Sequence, residues 1–252
     1  MPDPDSPIVT AHPRPLWLPA AILAALVPLF VGLGLWQLQR ADEKRALQQE
    51  YDRRIEEVPQ RLGPASQEAS ALRFRRLHVR GVYDPDYQIL IDNRVHRGVP
   101  GYHVITPLRL EGGDTRVLVN RGWVALGSSR TQLPAVDPPM GVQEITGVAA
   151  VPADKGFTLG DTPAPEHGWQ PVWLRLDMQR YAVAVPFAVQ PVVLLLDANM
   201  AHGYTRDWSR LDAGIAVHQG YAFQWFALAL LALVLAILLL VRSARRRREV
   251  TA

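Results

Sequence analysis

The side chains best suited to chemistry fall in two short segments near opposite ends of the chain. The first is Gly34-Leu35-Trp36-Gln37-Leu38-Gln39-Arg40, which runs on to Lys44; the second is His218-Gln219-Gly220-Tyr221-Ala222-Phe223-Gln224-Trp225-Phe226. An imidazole can ligate a metal, and a guanidinium matches a carboxylate bidentately. On a helix, Trp36, Arg40 and Lys44 fall at i, i+4 and i+8, and His218, Tyr221 and Trp225 at i, i+3 and i+7. Each set therefore shares one face. The first segment closes an apolar stretch and the second opens one. If both stretches span a membrane, the two segments lie at the same depth on the same side.

Leu16 to Leu35 and Tyr221 to Val241 carry no charge. At ~1.5 Å per residue each reaches roughly 30 Å, the thickness of the hydrocarbon core. Spans are accordingly placed at 16–38 and 221–241. Pro19 and Pro28 would break a soluble helix, but a spanning helix tolerates them. A cleaved leader is the rival reading of the first stretch, because Gly32-Leu33-Gly34 imitates a cleavage site. The run is long for a leader, and such a site would lie before the amphipathic Trp36, so an uncleaved anchor is expected.

Orientation follows from Arg242-Ser243-Ala244-Arg245-Arg246-Arg247-Arg248, directly after the second span. Basic residues there favour the cytoplasm. The tail 1–15 and the basic tail 242–252 are then cytoplasmic, and residues 39–220 form an outward-facing domain. Arg40, Lys44, Arg45, Arg53 and Arg54 would lie outside, which a long loop permits.

The net charge of +3 comes largely from the terminal arginines, so nucleic acid is not implied. Cysteine is absent, which removes disulfides, thiolate ligands and cysteine nucleophiles. A copper chaperone would want Cys pairs or clustered Met and His; the chain has only a loose Met200-x-His202. No G-x-S-x-G, H-E-x-x-H or glycine-rich phosphate loop marks a hydrolase. Two spans without internal charge offer a transporter no path unless the chain oligomerises. The chain reads as a non-enzyme.

Between the spans the sequence is mostly strand. Leu72–Tyr83, Tyr87–Val95, Tyr102–Leu110, Arg116–Ala125, Val142–Val151 and Val192–Asp197 are apolar or β-rich runs punctuated by turn residues. Glu111-Gly112-Gly113-Asp114 should close a hairpin. Glu43–Ile55 continues the first span as a polar helix, Asp177–Ala184 is a short helix, and Leu133–Gly141 and Asp161–Pro171 are proline-rich loops. The fold class is two transmembrane helices flanking a mostly-β (α+β) domain, a small antiparallel barrel or sandwich. Three strands end alike, in Asp92-Asn93, Asn120 and Asp197-Ala198-Asn199. Turn formers at strand ends are usual; a shared polar rim of Asn93, Asn120 and Asn199 is the alternative.

Taken in order, several motifs resemble the Surfeit locus protein family of membrane-anchored assembly factors for haem-copper terminal oxidases. They are Gly34-x-Trp36-Gln37-x-x-Arg40-x-x-x-Lys44, Val119-Asn120-Arg121-Gly122-Trp123, Trp173-Leu174-Arg175-Leu176-Asp177, Asp197-Ala198-Asn199 and His218-x-x-Tyr221-Ala222-x-Gln224-Trp225-Phe226. The resemblance implies help in delivering haem a to the oxidase catalytic subunit. It implies that subunit and haem a synthase as partners, and a periplasmic central domain on the bacterial inner membrane. In that frame His218 is the candidate axial ligand of haem iron. Tyr221, Trp225 and Trp36 would wall the macrocycle, and Arg40 or Arg121 would meet its propionates.

Gln37, Lys44 and Gln224 are candidates for partner binding; Gln224 lies about one turn inside the second span, where a polar side chain tends to bond across to another helix. Each has a plainer reading. Trp and Tyr at span ends are interfacial anchors, Arg40 and Lys44 can pair with headgroups, and His218 can be a satisfied polar residue. A scaffold that holds oxidase subunits without touching haem needs only the spans, Gln224 and an outer surface.

Overall fold

Alternation along Arg76–Tyr83 shows how the central domain is built. Leu77, Val79, Gly81 and Tyr83 turn inward while Arg76, His78 and Arg80 turn outward, the period of a half-buried strand. The computed structural model describes residues 17–127, 132–152, 169–208 and 214–251. In chain order the elements are α1 (Trp17–Glu56), β1 (Gln60–Arg61), α2 (Ala69–Leu72), β2 (Arg76–Tyr83), β3 (Ile89–His96), β4 (Val99–Leu110), β5 (Arg116–Ala125), β6 (Val142–Ala150), β7 (Val172–Trp173), α3 (Met178–Ala184), β8 (Val189–Leu196) and α4 (Ile215–Thr251).

The strands form one sheet in the order β1-β2-β6-β8-β5-β4-β3-β7, and a further pairing of β2 with β4 closes β2, β6, β8, β5 and β4 into a barrel. The expected architecture, two apolar helices and a barrel domain, is present. It departs from a purely antiparallel barrel at β8, which runs parallel to β5 and antiparallel to β6. The crossover through α3 makes this possible, since a parallel partner cannot be reached by a tight hairpin.

Leu77, Val79, Leu108, Val117, Val119, Val192, Leu194 and Leu196 belong to one core cluster; Ile89, Ile91, Ile105, Leu118, Val193 and Tyr181 belong to a second. β5 and β8 contribute to both, which explains their unbroken aliphatic runs. Gly81 stands where β2 passes from β6 to β4, and a Cβ there would lie 2.1 Å from the Arg109 carbonyl oxygen.

All six expected strands occur, and β4 and β5 are the expected hairpin pair. Leu72–Arg75 is not strand. Ala69–Leu72 forms the short α2, Phe74 takes a φ of 63°, and its ring packs edge-on against Tyr51 at 5.2 Å. β1 and β7 have two residues each, too few to show a period, and are held by parallel pairing to β2 and β3. Expectations for residues 1–16 and for 161–168 of the proline-rich loop fall outside the described residues.

The chain divides into two compact units, the sheet unit of Gln49–Leu211 and a helical unit of Met1–Gln48 with Asp212–Ala252. α1 and α4 are long and apolar enough to cross a membrane, with only 11% and 17% of their apolar windows buried. A soluble core helix would be mostly buried, so these are the helices of a membrane protein. Pro19 lies in the first turn of α1, where no intrahelical N–H bond is lost; Pro28 lies inside it.

Candidate functional site

Small side chains bring the two apolar helices together. On α1 the buried positions are Ala20, Gly34, Gln37 and Ala41; on α4, Ala222, Ala229, Ala232 and Ala236 are buried. A Cβ added at Gly34 would lie 2.6 Å from the Phe226 ring. Small residues at such spacing let helices approach closely in a lipid setting, where hydrophobicity cannot drive them together. Near that contact Phe30 and Trp225 stack with centroids 5.8 Å apart.

One polar contact lies within this packing. His218 Nδ1 and Gln37 Oε1 are 2.8 Å apart, and Gln37 is only 9% exposed. The carboxamide oxygen carries no proton, so Nδ1 must donate. In the neutral ring this leaves the Nε2 lone pair free. Gln37, expected as a partner-binding residue, meets His218 within the chain.

The other candidates lie at the surface of this unit. Trp36 and Tyr221 are each 49% exposed. Arg40 lies over the Trp36 ring at 5.9 Å and bonds Glu43 at 2.8 Å, so the shared face of Trp36 and Arg40 exists. Lys44 is half-buried with no ion pair among the described residues. Gln224 is exposed and makes no hydrogen bond among the described residues. It does not join the two helices, because its side chain projects away from the buried Ala222 and Ala229 face.

Arg121 belongs to the sheet unit. The β4–β5 register slips so that Val104 faces Gly122 while Ile105 faces Asn120, leaving Arg121 as the extra residue of a bulge. Gly122 takes a φ of 118° there. The bulge turns the Arg121 side chain inside, to 2% exposure. Its guanidinium donates to the carbonyls of Val136 at 2.9 Å, Asp137 at 3.2 Å and His202 at 3.1 Å. The Tyr83 and Tyr204 rings flank it at 5.5 and 5.0 Å. Its Nε has no hydrogen-bond partner among the described residues, and Arg121 lines an open pocket with Asp137, His202 and Tyr204. Burial pushes the Tyr83 hydroxyl up to about 12, against the opposing pull of Arg121 and Arg206.

Other motif residues of the sheet unit also make internal hydrogen bonds. Asp177 caps α3 by accepting the Arg180 N–H at 2.9 Å. The Trp173 indole donates to Gln170 O at 2.8 Å. Asp197 accepts from Thr146 at 2.9 Å and pairs with Arg76. Asn120 is buried and bonds His103, Asn93 sits at a β3 bulge with a φ of 60°, and Asn199 is an exposed turn residue. Turn and bulge geometry accounts for Asn199 and Asn93, and an internal bond for Asn120.

Among the described residues no three His, Cys, Asp or Glu side chains cluster to hold a metal ion. A haem needs no such cluster from the protein, only an axial donor. His218 fits that role chemically: one nitrogen is occupied by an acceptor and the other makes no hydrogen bond among the described residues, the arrangement usual for metal-bound histidines.

Residues 24–230 match the SURF1 family. The chain is similar to a SURF1-like protein of Dictyostelium discoideum, 30% identical over 195 residues, covering 65% of this chain and 70% of that protein. It is 33% identical over 169 residues to a SURF1-like protein of Mycobacterium tuberculosis, covering 64% of this chain and 60% of the relative. Surfeit locus protein 1 of Arabidopsis thaliana is 36% identical over 121 residues, 43% of this chain and 32% of that protein.

Proposed function

The chain belongs to the SURF1 family, and from that premise we propose that it is an assembly factor for a haem-copper terminal oxidase. In this reading it assists delivery of haem a to the catalytic subunit, receiving it from haem a synthase. The observation that carries the haem step is the state of His218, with Nδ1 bound to Gln37 at 2.8 Å and Nε2 without a hydrogen-bond partner among the described residues. Trp36 and Tyr221, near these residues in sequence and half exposed, supply apolar surface for a macrocycle. Arg40 supplies a guanidinium for a propionate. When bound, haem would contribute an iron seeking axial donors; the protein's part is to present an imidazole and an apolar surface.

The same reading places the sheet unit on the periplasmic side of a bacterial inner membrane and both termini in the cytoplasm. Its support is the arginine run after the second span. Reporter fusions before Leu16 and after Val241 should be active only in cytoplasmic format, and a fusion at Gly63 only in periplasmic format.

The deciding experiment is the absorption spectrum of full-length protein purified in detergent from cells that make haem a. A stoichiometric haem a spectrum, lost or altered in His218→Ala while protein still accumulates, supports the reading. Protein without haem that still captures the oxidase catalytic subunit supports a scaffold instead. Gln224, exposed and without a hydrogen bond among the described residues, is the feature a scaffold would use.

A further inference from the structure

We propose that Gln37 is the positioning residue of the haem site: it selects the His218 tautomer and holds the ring so that Nε2 alone is presented as the iron donor. This rests on the reading of His218 as an axial ligand, and adds a role on the other helix.

A neutral imidazole carries its proton on either nitrogen, and which one is set by the hydrogen bond its surroundings offer. Here the offer comes from a carboxamide oxygen 2.8 Å from Nδ1. That oxygen accepts only, so the proton is held on Nδ1 and the lone pair on Nε2. The acceptor is itself constrained. Gln37 is buried in the helix pair, one turn from Gly34, whose missing side chain admits the Phe226 ring, and one turn from the buried Ala41. A glutamine free to swing would lose the bond to solvent; one packed between small residues keeps it.

His218 lies on α4 and Gln37 on α1, so donor orientation depends on the two helices staying paired. The acceptor is an amide rather than a carboxylate. The imidazole therefore keeps its proton and stays a neutral ligand, weaker in donation than an imidazolate-like ring backed by a carboxylate. A neutral donor suits a carrier that must release what it binds.

The test uses the full-length chain in detergent with Gln37→Leu, Gln37→Glu and His218→Ala. In haem-free protein at alkaline pH, imidazole nitrogen NMR, assigned by the signal lost in His218→Ala, should show the Nδ1-protonated tautomer. Gln37→Leu should give a tautomer mixture. In haem-loaded protein, Gln37→Leu should weaken haem retention by about 10- to 100-fold, as loss of such outer partners does. Gln37→Glu should restore retention and strengthen the iron–imidazole stretch in resonance Raman, a shift that mere helix packing would not produce.

An Nε2-protonated ring in the wild type, or unchanged tautomer and retention in Gln37→Leu, overturns the inference. If Gln37→Leu fails to accumulate, Gln37→Glu decides: an unaltered Raman stretch overturns it. A wild-type haem spectrum in His218→Ala overturns the ligand reading itself, whereas the tautomer measurement still tests what Gln37 does to the ring.

Discussion

Asn120 Nδ2 donates to His103 Nδ1 across 3.0 Å between β5 and β4, and the imidazole edge packs on Trp208 at 5.6 Å. The ring must therefore carry its proton, when neutral, on Nε2. Burial first, and the nearby Arg94 charge second, push the His103 pKa down from 6.5 to about 4. The unfolded chain thus binds this proton at a higher pH than the folded one. The stability it contributes is fully present above about pH 6.5 and is lost as pH falls through about 4. The urea midpoint, followed by tryptophan fluorescence, should fall across that window. His103→Gln, which keeps an acceptor and cannot titrate, should flatten the fall.

Arg121 is a buried cation whose guanidinium bonds are mostly to backbone carbonyls. Arg121→Met leaves the buried Val136 carbonyl without its donor, at about 1–3 kcal/mol, and the Asp137 and His202 carbonyls, on exposed residues, at less. It should lower the unfolding midpoint of the sheet unit and raise proteolysis after Val136. Arg121→Lys should recover only part, because an ammonium cannot span the Val136, Asp137 and His202 carbonyls as a planar fork does. Equal midpoints for Arg121→Met and wild type would show that the bulge does not depend on it.

Gly34→Val puts carbon where the Phe226 ring lies. Overpacking of this kind costs about 1–3 kcal/mol. Because the chain has no cysteine, spin labels at Leu38→Cys and Gln219→Cys can be introduced directly. The paired helices should give one narrow distance, which Gly34→Val broadens and lengthens. Adding Phe226→Ala should restore it.

Gln224→Leu should leave that spin-label distance and the haem spectrum unchanged, since Gln224 does not face α1. It should reduce co-purification of the oxidase catalytic subunit. One intramembrane hydrogen bond of about 0.6 kcal/mol corresponds to roughly a threefold loss of affinity. A changed helix distance with normal capture would assign Gln224 to helix pairing after all.

Some of the helix pairing was legible in the sequence. Gly34 and Ala41 are seven apart, as are Ala222, Ala229 and Ala236, a small-residue repeat that marks a close-packed seam. Read with that seam, Gln37 falls between Gly34 and Ala41 and so belongs inside the pair, while Gln224, two residues after Ala222, does not. The aromatic and basic face Trp36–Arg40 was equally legible, because it is a property of one helix.

The sequence by itself determined the main elements. Inward alternation in β2, the Glu111–Asp114 turn, the Asp177 cap and two charge-free runs are local patterns, and each is read within a few residues. Which polar groups meet was decided only by tertiary structure. The bulge that buries Arg121 arises from the register of β5 on β4, which neither strand encodes alone. The Gln37–His218 bond joins residues 181 positions apart. It requires the rotation of two helices about their axes to agree, and that agreement is set by how Gly34 and the alanines of α4 pack.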